Sequence, residues 1–277
     1  MIGSIRPTLV SLLLILFVAG CSGAPTGPGN AVGPDSSGAP GSSGAPSGPG
    51  VVPTGEITVL AAASLTESFT AIGHDFEAAN PGTKITFSFG SSATLAAQVT
   101  AGAPVDVFAA ANESTMKIVS DAGQAVAPQP FVTNTLEIAV PPGNSAKITG
   151  LADFADEALR IALCAPEVPC GSAAEKVFQT AGIDAKPDTL EADVKTALQK
   201  VRLGEVDAAL VYRTDVIAAG DAVQGIQFPE AGSAVNVYPI TALTEAKNPD
   251  LAAAFVDYVH GPAGQTVLTK AGFASPS

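Results

Sequence analysis

The sequence predicts an α/β protein built on two sheets, and three observations carry that expectation. From Glu56 onward, short apolar runs alternate with amphipathic stretches at helical spacing. Strands and helices that alternate this way imply mainly parallel sheets covered on both faces. About 220 residues take part, enough for a large core and for one or two domains. The first two expected strands each end in small residues and serine where a helix begins, the position at which such folds gather ligands.

The order begins before the folded part. Residues 1–20 read as an export signal: Arg6 is the only cation, "LVSLLLILFVAG" is apolar, and small residues precede Cys21. The apolar run is shorter than the roughly 20 residues a spanning helix needs, so cleavage is expected rather than a retained anchor. Residues 21–55 then change character. "GAP" recurs at Gly23, Gly38 and Gly44, and half of residues 22–55 are glycine or proline. Such a stretch buries too little apolar surface to offset its ordering entropy, and a disordered tether reaching ~30 Å is expected.

"EITVLAA" reads as a buried strand. "SLTESFTAIGHDFEAAN" follows as a helix with Leu65, Phe69, Ile72 and Phe76 on one face, a capping box of Ser64 and Glu67 at its start, and "NPG" at its end. "KITFSF" is a strand and 92–100 a helix; "VDVFAAA" is a strand and 113–122 a helix. After a proline-rich passage come strands "TLEIAV" and "RIALCA", helices "SAAEKVFQTAG" and "VKTALQKVRLG", and strand "DAALVY". Strand "NVYPITAL" and helices over 250–259 and 264–271 complete the chain.

Charge and side-chain inventory narrow the function. A net charge of −13 leaves no basic stripe to replace phosphate counterions, which argues against a nucleic-acid partner. It also means that an anion site here needs strong local donors. With Cys21 set apart, Cys164 and Cys170 in "CAPEVPC" are an even remainder in an exported chain. One bridge is expected, worth roughly 2 kcal/mol for so short a loop. Zinc is not expected, because two thiols without a nearby His leave four-coordination incomplete. Nor is an enzyme. Ser64 lacks a G-x-S-x-G elbow, and His74 and His260 are expected to be solvated on helices. Tyr212, Tyr238 and Tyr258 are not adjacent, unlike the paired tyrosines that hold ferric ion. Arg213, a candidate partner for an amino-acid carboxylate, is expected to face away from Tyr212 on a strand.

What the serines do is open at this level. Each can cap its helix, worth about 1 kcal/mol. Two helix starts on one sheet edge can also hold an anion, since each presents free amides and about half a positive charge.

"ITVLAAASLTESF" together with "FGSSATLAAQVTAGAPVDVFAAAN" resembles the periplasmic molybdate-binding proteins of ABC importers. "CAPEVPCGSAAEKVF", "EADVKTALQKV", "DAALVYRTD" and "FVDYVHGPAGQTVLTKAGF" continue the resemblance, so that it covers nearly all of 56–273 in order. The resemblance implies a type II periplasmic binding protein: two α/β lobes joined by a two-strand hinge, with ligand clamped between them. Lobe one is then 56–134 plus 236–277 and lobe two 135–235, with "TLEIAV" and "NVYPIT" as the crossing segments. It implies that Ser64 and Ser92 donate hydroxyls, Cys170 and Val194 donate backbone amides, and Tyr212 donates its hydroxyl, with Ser91 a possible support. Glu191 and Asp193, close to the Val194 amide, are expected to point outward, Asp193 capping its own helix. The ligand that the resemblance implies is molybdate, with tungstate nearly indistinguishable by shape; molybdenum is expected only as the oxyanion, and no cofactor is expected. Sulfate or another small oxyanion is the alternative. "VAGC" at 18–21 resembles the lipobox of bacterial lipoproteins, in which the cysteine, here Cys21, carries lipid. The resemblances together imply a monomer anchored to the outer face of the cell membrane and partnered with the importer's permease subunits.

Overall fold

The computed structural model describes residues 53–276. The expected signal, Cys21 and most of the glycine- and proline-rich stretch lie outside them. In chain order the elements are β1 (Gly55–Ala62), α1 (Thr66–Ala79), β2 (Thr83–Gly90), α2 (Ser92–Thr100), β3 (Val107–Ala109), α3 (Glu113–Asp121), β4 (Ala125–Asn134) and β5 (Leu136–Val140). They continue with β6 (Ile161–Cys164), α4 (Pro169–Ala181), β7 (Thr189–Glu191), α5 (Val194–Arg202), β8 (Ala208–Tyr212), α6 (Arg213–Ala219), β9 (Gln224–Ile226), β10 (Asn236–Leu243), α7 (Pro249–His260) and α8 (Pro262–Lys270). The expected tether ends one residue early: Gly55 is already in β1, its amide bonded to the Gly82 carbonyl at 3.0 Å.

Two five-stranded sheets form, in the orders β2-β1-β3-β10-β4 and β7-β6-β8-β5-β9. They are mixed, which corrects the expectation of mainly parallel sheets. β1 pairs parallel with β2 and β3, and β6 with β7 and β8. β10 runs antiparallel to β3 and β4, and β5 antiparallel to β8 and β9. The reversal follows from the path of the chain, which leaves the first sheet through β4, passes Thr135 into β5, and returns through β10. Two crossing strands therefore join two α/β lobes.

Each lobe has its own core. In the first, strand alternation sends Val59, Ala61, Val107 and Ala109 to one face, with α1, α7 and α8. Leu60 and Phe108 go to the other, with α2 and α3. Phe69 and Phe76 each meet Phe255 edge-on, at 6.3 and 5.5 Å between ring centroids. Burying each such ring stabilises by about 1.5–3 kcal/mol. The second lobe packs α4 and α5 against its sheet through Val177, Phe178, Ala197, Leu198 and Val201.

The segments not foreseen have local causes. β4 contains Pro128 and Pro130, yet it is the edge of its sheet, where a missing donor is tolerated. β7 and β9 are three residues long and are also edges. β8 stops at Tyr212, so Arg213 is the first residue of α6 and not the next strand residue.

Candidate functional site

Six segments from both lobes meet at one small cavity, whose empty space, mouth included, is about 220 Å³. Ser64, Ser91 and Ser92 reach it from the first lobe, and Cys170, Val194 and Tyr212 from the second. Neither Lys nor Arg lines it.

The serines are not side-chain caps, which corrects one expectation. After β1 the chain makes a single tight turn, Ala63–Leu65, before α1, and no side chain caps it. Ser64 Oγ instead lies 2.9 Å from the Tyr238 hydroxyl, and Glu67 turns to another partner. At α2, Ser91 occupies the cap position without accepting a helix amide. Its Oγ is buried and has no hydrogen-bond partner among the described residues. Ser92 Oγ accepts from the Ala111 amide at 2.9 Å.

Second-lobe contacts come from two helix starts and a strand end. Proline at the first position of α4 offers no amide, and the Ser172 amide returns to the Val168 carbonyl at 3.0 Å. The amides of Cys170 and Gly171 are left without an acceptor among the described residues. Gly171 is required here: a Cβ on it would stand 1.8 Å from the Ala165 carbonyl oxygen. Cys170 is bridged to Cys164, with 5.7 Å between their α-carbons, which ties the first turn of α4 to the end of β6. At α5 the Asp193 carboxylate accepts from the Lys195 and Thr196 amides, at 2.9 and 3.0 Å. Asp193 thus caps its helix while still lining the cavity, and the Val194 amide remains free among the described residues. Tyr212 ends β8, and its hydroxyl accepts from Asn236 Nδ2 at 3.0 Å.

Four hydroxyls and two first-turn amides therefore converge from opposite lobes on a space with no cation in its wall. Such a set can replace the hydration of a small anion on every side.

Residues 57–274 match the bacterial extracellular solute-binding proteins. The chain belongs to that family. The solute-binding protein is 42% identical over 221 residues to the molybdate-binding protein ModA of Mycobacterium tuberculosis, covering 79% of this chain and 85% of the relative. In fold it matches the periplasmic molybdate-binding protein of Azotobacter vinelandii, with a TM-score of 0.69, 22% identity, and coverage of 80% and 100%. It matches the sulfate-binding protein SubI of M. tuberculosis equally well, with a TM-score of 0.69, 18% identity, and coverage of 79% and 86%. The two lobes and their two crossing strands are thus the type II periplasmic binding architecture.

Around the cavity of the solute-binding protein lie groups that local sequence patterns do not reveal. Lys195 of α5 reaches across to Glu67 of α1, at 2.8 and 2.7 Å from its two oxygens. The same ammonium stands 3.1 Å from Asp215, which is fully buried. One cation cannot neutralise two carboxylates, and burial, only partly offset by Lys195, raises Asp215 to about 6. Burial also pushes the Tyr212 hydroxyl well above its ordinary range, with Tyr238 and Asp215 adding to the effect, so Tyr212 keeps its hydrogen. Glu191 does not point outward as expected. It is buried, 3.9 Å from Lys200. His74 is exposed, whereas His260 is half-buried against Phe131, 6.3 Å away, and burial lowers its pKa.

No role beside the cavity was expected of Asn134, Asn236 or Tyr238. All three are buried polar residues at or within the crossing strands. The available signal is the strand alternation of "NVYPIT", which places Asn236 and Tyr238 on one face.

Proposed function

We propose that this chain captures molybdate and delivers it to the membrane permease subunits of an ABC importer, with tungstate accepted by the same site. The observation that carries this reading is the cavity wall: hydroxyl and amide donors from both lobes, no Lys or Arg, and a single carboxylate, Asp193, engaged in capping its own helix. Ser64, Ser92 and Tyr212 donate hydroxyls, Cys170 and Val194 donate amides, and Ser91, whose buried oxygen lacks a protein partner, donates a further hydroxyl. The M. tuberculosis relative, called a molybdate-binding protein, supports the choice of ligand.

Recognition, not turnover, is the activity. The nearest hydroxyl partner of Ser64 is a tyrosine, and no histidine lines the cavity. No cofactor takes part. Because donors come from both lobes, the bound anion favours the closed arrangement through its differential affinity. The protein acts as a monomer outside the cytoplasm, anchored to the outer face of the cell membrane through lipid on Cys21.

Sulfate is the competing ligand, since the fold matches a sulfate binder as well as a molybdate binder. Selectivity then lies in size: a smaller anion leaves donors stretched, at roughly 1–3 kcal/mol for each one lost. Thermal shifts with molybdate, tungstate, sulfate and phosphate at equal concentration test this. Molybdate at a hundredfold excess over its dissociation constant stabilises by about 2.7 kcal/mol. Ser92→Ala is expected to lower molybdate affinity about tenfold, the loss of one donor. A sulfate shift equal to that of molybdate would overturn the choice of ligand.

A further inference from the structure

We infer that Asn236 and Tyr238, neither of which lines the cavity, fix the direction of the hydroxyl hydrogens of Tyr212 and Ser64 and so select a fully deprotonated tetrahedral oxyanion over a protonated one. The inference rests on the reading of the cavity as an oxyanion site.

Hydrogen positions follow from the partners. Asn236 Nδ2 is 2.8 Å from the Ala111 carbonyl oxygen and 3.0 Å from the Tyr212 hydroxyl. A carbonyl only accepts, so the nitrogen of the amide, and not its oxygen, faces both groups. One hydrogen goes to Ala111 and the other to the phenol oxygen. Tyr212 then has its own single hydrogen to give, turned away from Asn236, and its side chain stands in the cavity wall.

Tyr238 is governed the same way. Asn134 Oδ1 accepts from the Thr135 amide at 3.0 Å, which leaves Asn134 Nδ2 to donate to Thr214 Oγ1 at 2.8 Å and to the Tyr238 hydroxyl at 3.4 Å. Tyr238 is fully buried. If it also accepted from Ser64, its own hydrogen would be left only the Tyr212 hydroxyl, which already accepts from Asn236. It therefore donates to Ser64 Oγ across their 2.9 Å contact, and the serine hydrogen is turned toward the cavity.

Ala111 joins the two lobes' hydroxyls into one arrangement. Its amide donates to Ser92 Oγ and its carbonyl accepts from Asn236. The hydrogens of Ser64 and Ser92 are then turned inward before ligand arrives, and that of Tyr212 has the ligand and the neighbouring Tyr238 hydroxyl as its acceptors. Molybdate and sulfate, bearing no hydrogen near neutral pH, meet only donors from these three groups. Hydrogen phosphate brings a P–OH that needs an acceptor; a hydroxyl that turns its second lone pair to it leaves its own hydrogen unpaired in the interior, and the one carboxylate in the wall, Asp193, accepts from the Lys195 and Thr196 amides through one oxygen.

The test is calorimetric titration at about pH 6.5 with molybdate, sulfate and inorganic phosphate. The variants are Tyr238→Phe, Ser64→Ala and the double variant, and Asn236→Ala, Tyr212→Phe and their double variant. Tyr238→Phe keeps the ring and frees Ser64 to accept. Molybdate affinity is expected to fall about tenfold while phosphate affinity is retained or rises, so the molybdate-to-phosphate ratio shrinks at least tenfold. In the Ser64→Ala background the same change is expected to have little further effect, because residues acting through one another are not additive. The Asn236 and Tyr212 pair gives an independent cycle should Tyr238→Phe not fold. Equal loss for all three anions, or full additivity in the folded cycles, overturns the inference and leaves the oxyanion site standing. Failure of the unaltered protein to bind any tetrahedral oxyanion overturns both.

Discussion

Asp215 shows how a single residue can bind two properties together. It is buried beside Lys195, whose charge is already shared with Glu67 across the cleft. Burial lifts its folded-state value to about 6 from an ordinary 3.8, so folding takes up a proton between those pH values. The resulting contribution is complete below about pH 4 and is lost as pH rises through about 6, on the order of 3 kcal/mol for two pKa units. Asp215→Asn is expected to flatten that stretch of the stability curve, measured by urea unfolding between about pH 4 and 7. An unchanged slope would assign the titration to another group. Residues of this kind explain the limits of reading a site from sequence. Ser64, Ser92, Cys170, Val194 and Tyr212 stand at strand ends and helix starts; short patterns mark the two serines, whereas Cys170, Val194 and Tyr212 were legible only through the family resemblance. Ser64 was nevertheless misread as a cap, because its true partner, Tyr238, lies 174 residues along the chain. Lys195 and Glu67 likewise meet only through closure of the cleft.

Among the elements, the first turn of α4 carries the most consequence for the site. Proline at its start, the Gly171 contact and the Cys164–Cys170 bridge together hold the Cys170 amide at the end of β6. Replacing both cysteines by serine is expected to cost roughly 2 kcal/mol of stability. It is also expected to weaken molybdate binding several-fold, since the turn must then be ordered as ligand enters. Chemical unfolding and calorimetric titration of the same variant separate the two effects. Undiminished affinity would mean that helix α4 positions the amide without the bridge. The helix itself was expected from Ser172, three residues late, because "PEVPCG" reads as a turn until the proline is recognised as a helix's first residue. β4 was missed for a related reason, since proline is compatible with a strand only at an edge. Edges are assigned by the sheet as a whole and not by the segment.

At the scale of the molecule, an ion pair joins the two lobes directly. The Lys195–Glu67 pair spans the cleft beside the anion cavity, with the glutamate 54% and the lysine 25% exposed. At such exposure a pair is worth about 0.2–1 kcal/mol and weakens in salt. Glu67→Gln is therefore expected to shift the ligand-free protein toward the open form and to reduce apparent molybdate affinity by up to about fivefold. Small-angle scattering and binding at low and high ionic strength check both. A salt-independent affinity in the unaltered protein would remove the pair from closure. The two-lobed plan was accessible from the order of motifs, but the mixed strand directions were not. Direction is decided by where the chain crosses and returns, at Thr135 and β10.

β1 carries one further implication. Its first residue, Gly55, and the turn bearing Ser64 stand at opposite ends of an eight-residue strand, about 25 Å long. β1 therefore begins at the pole of its lobe remote from the mouth. A load applied at Gly55 falls on the first lobe, at the end away from the mouth.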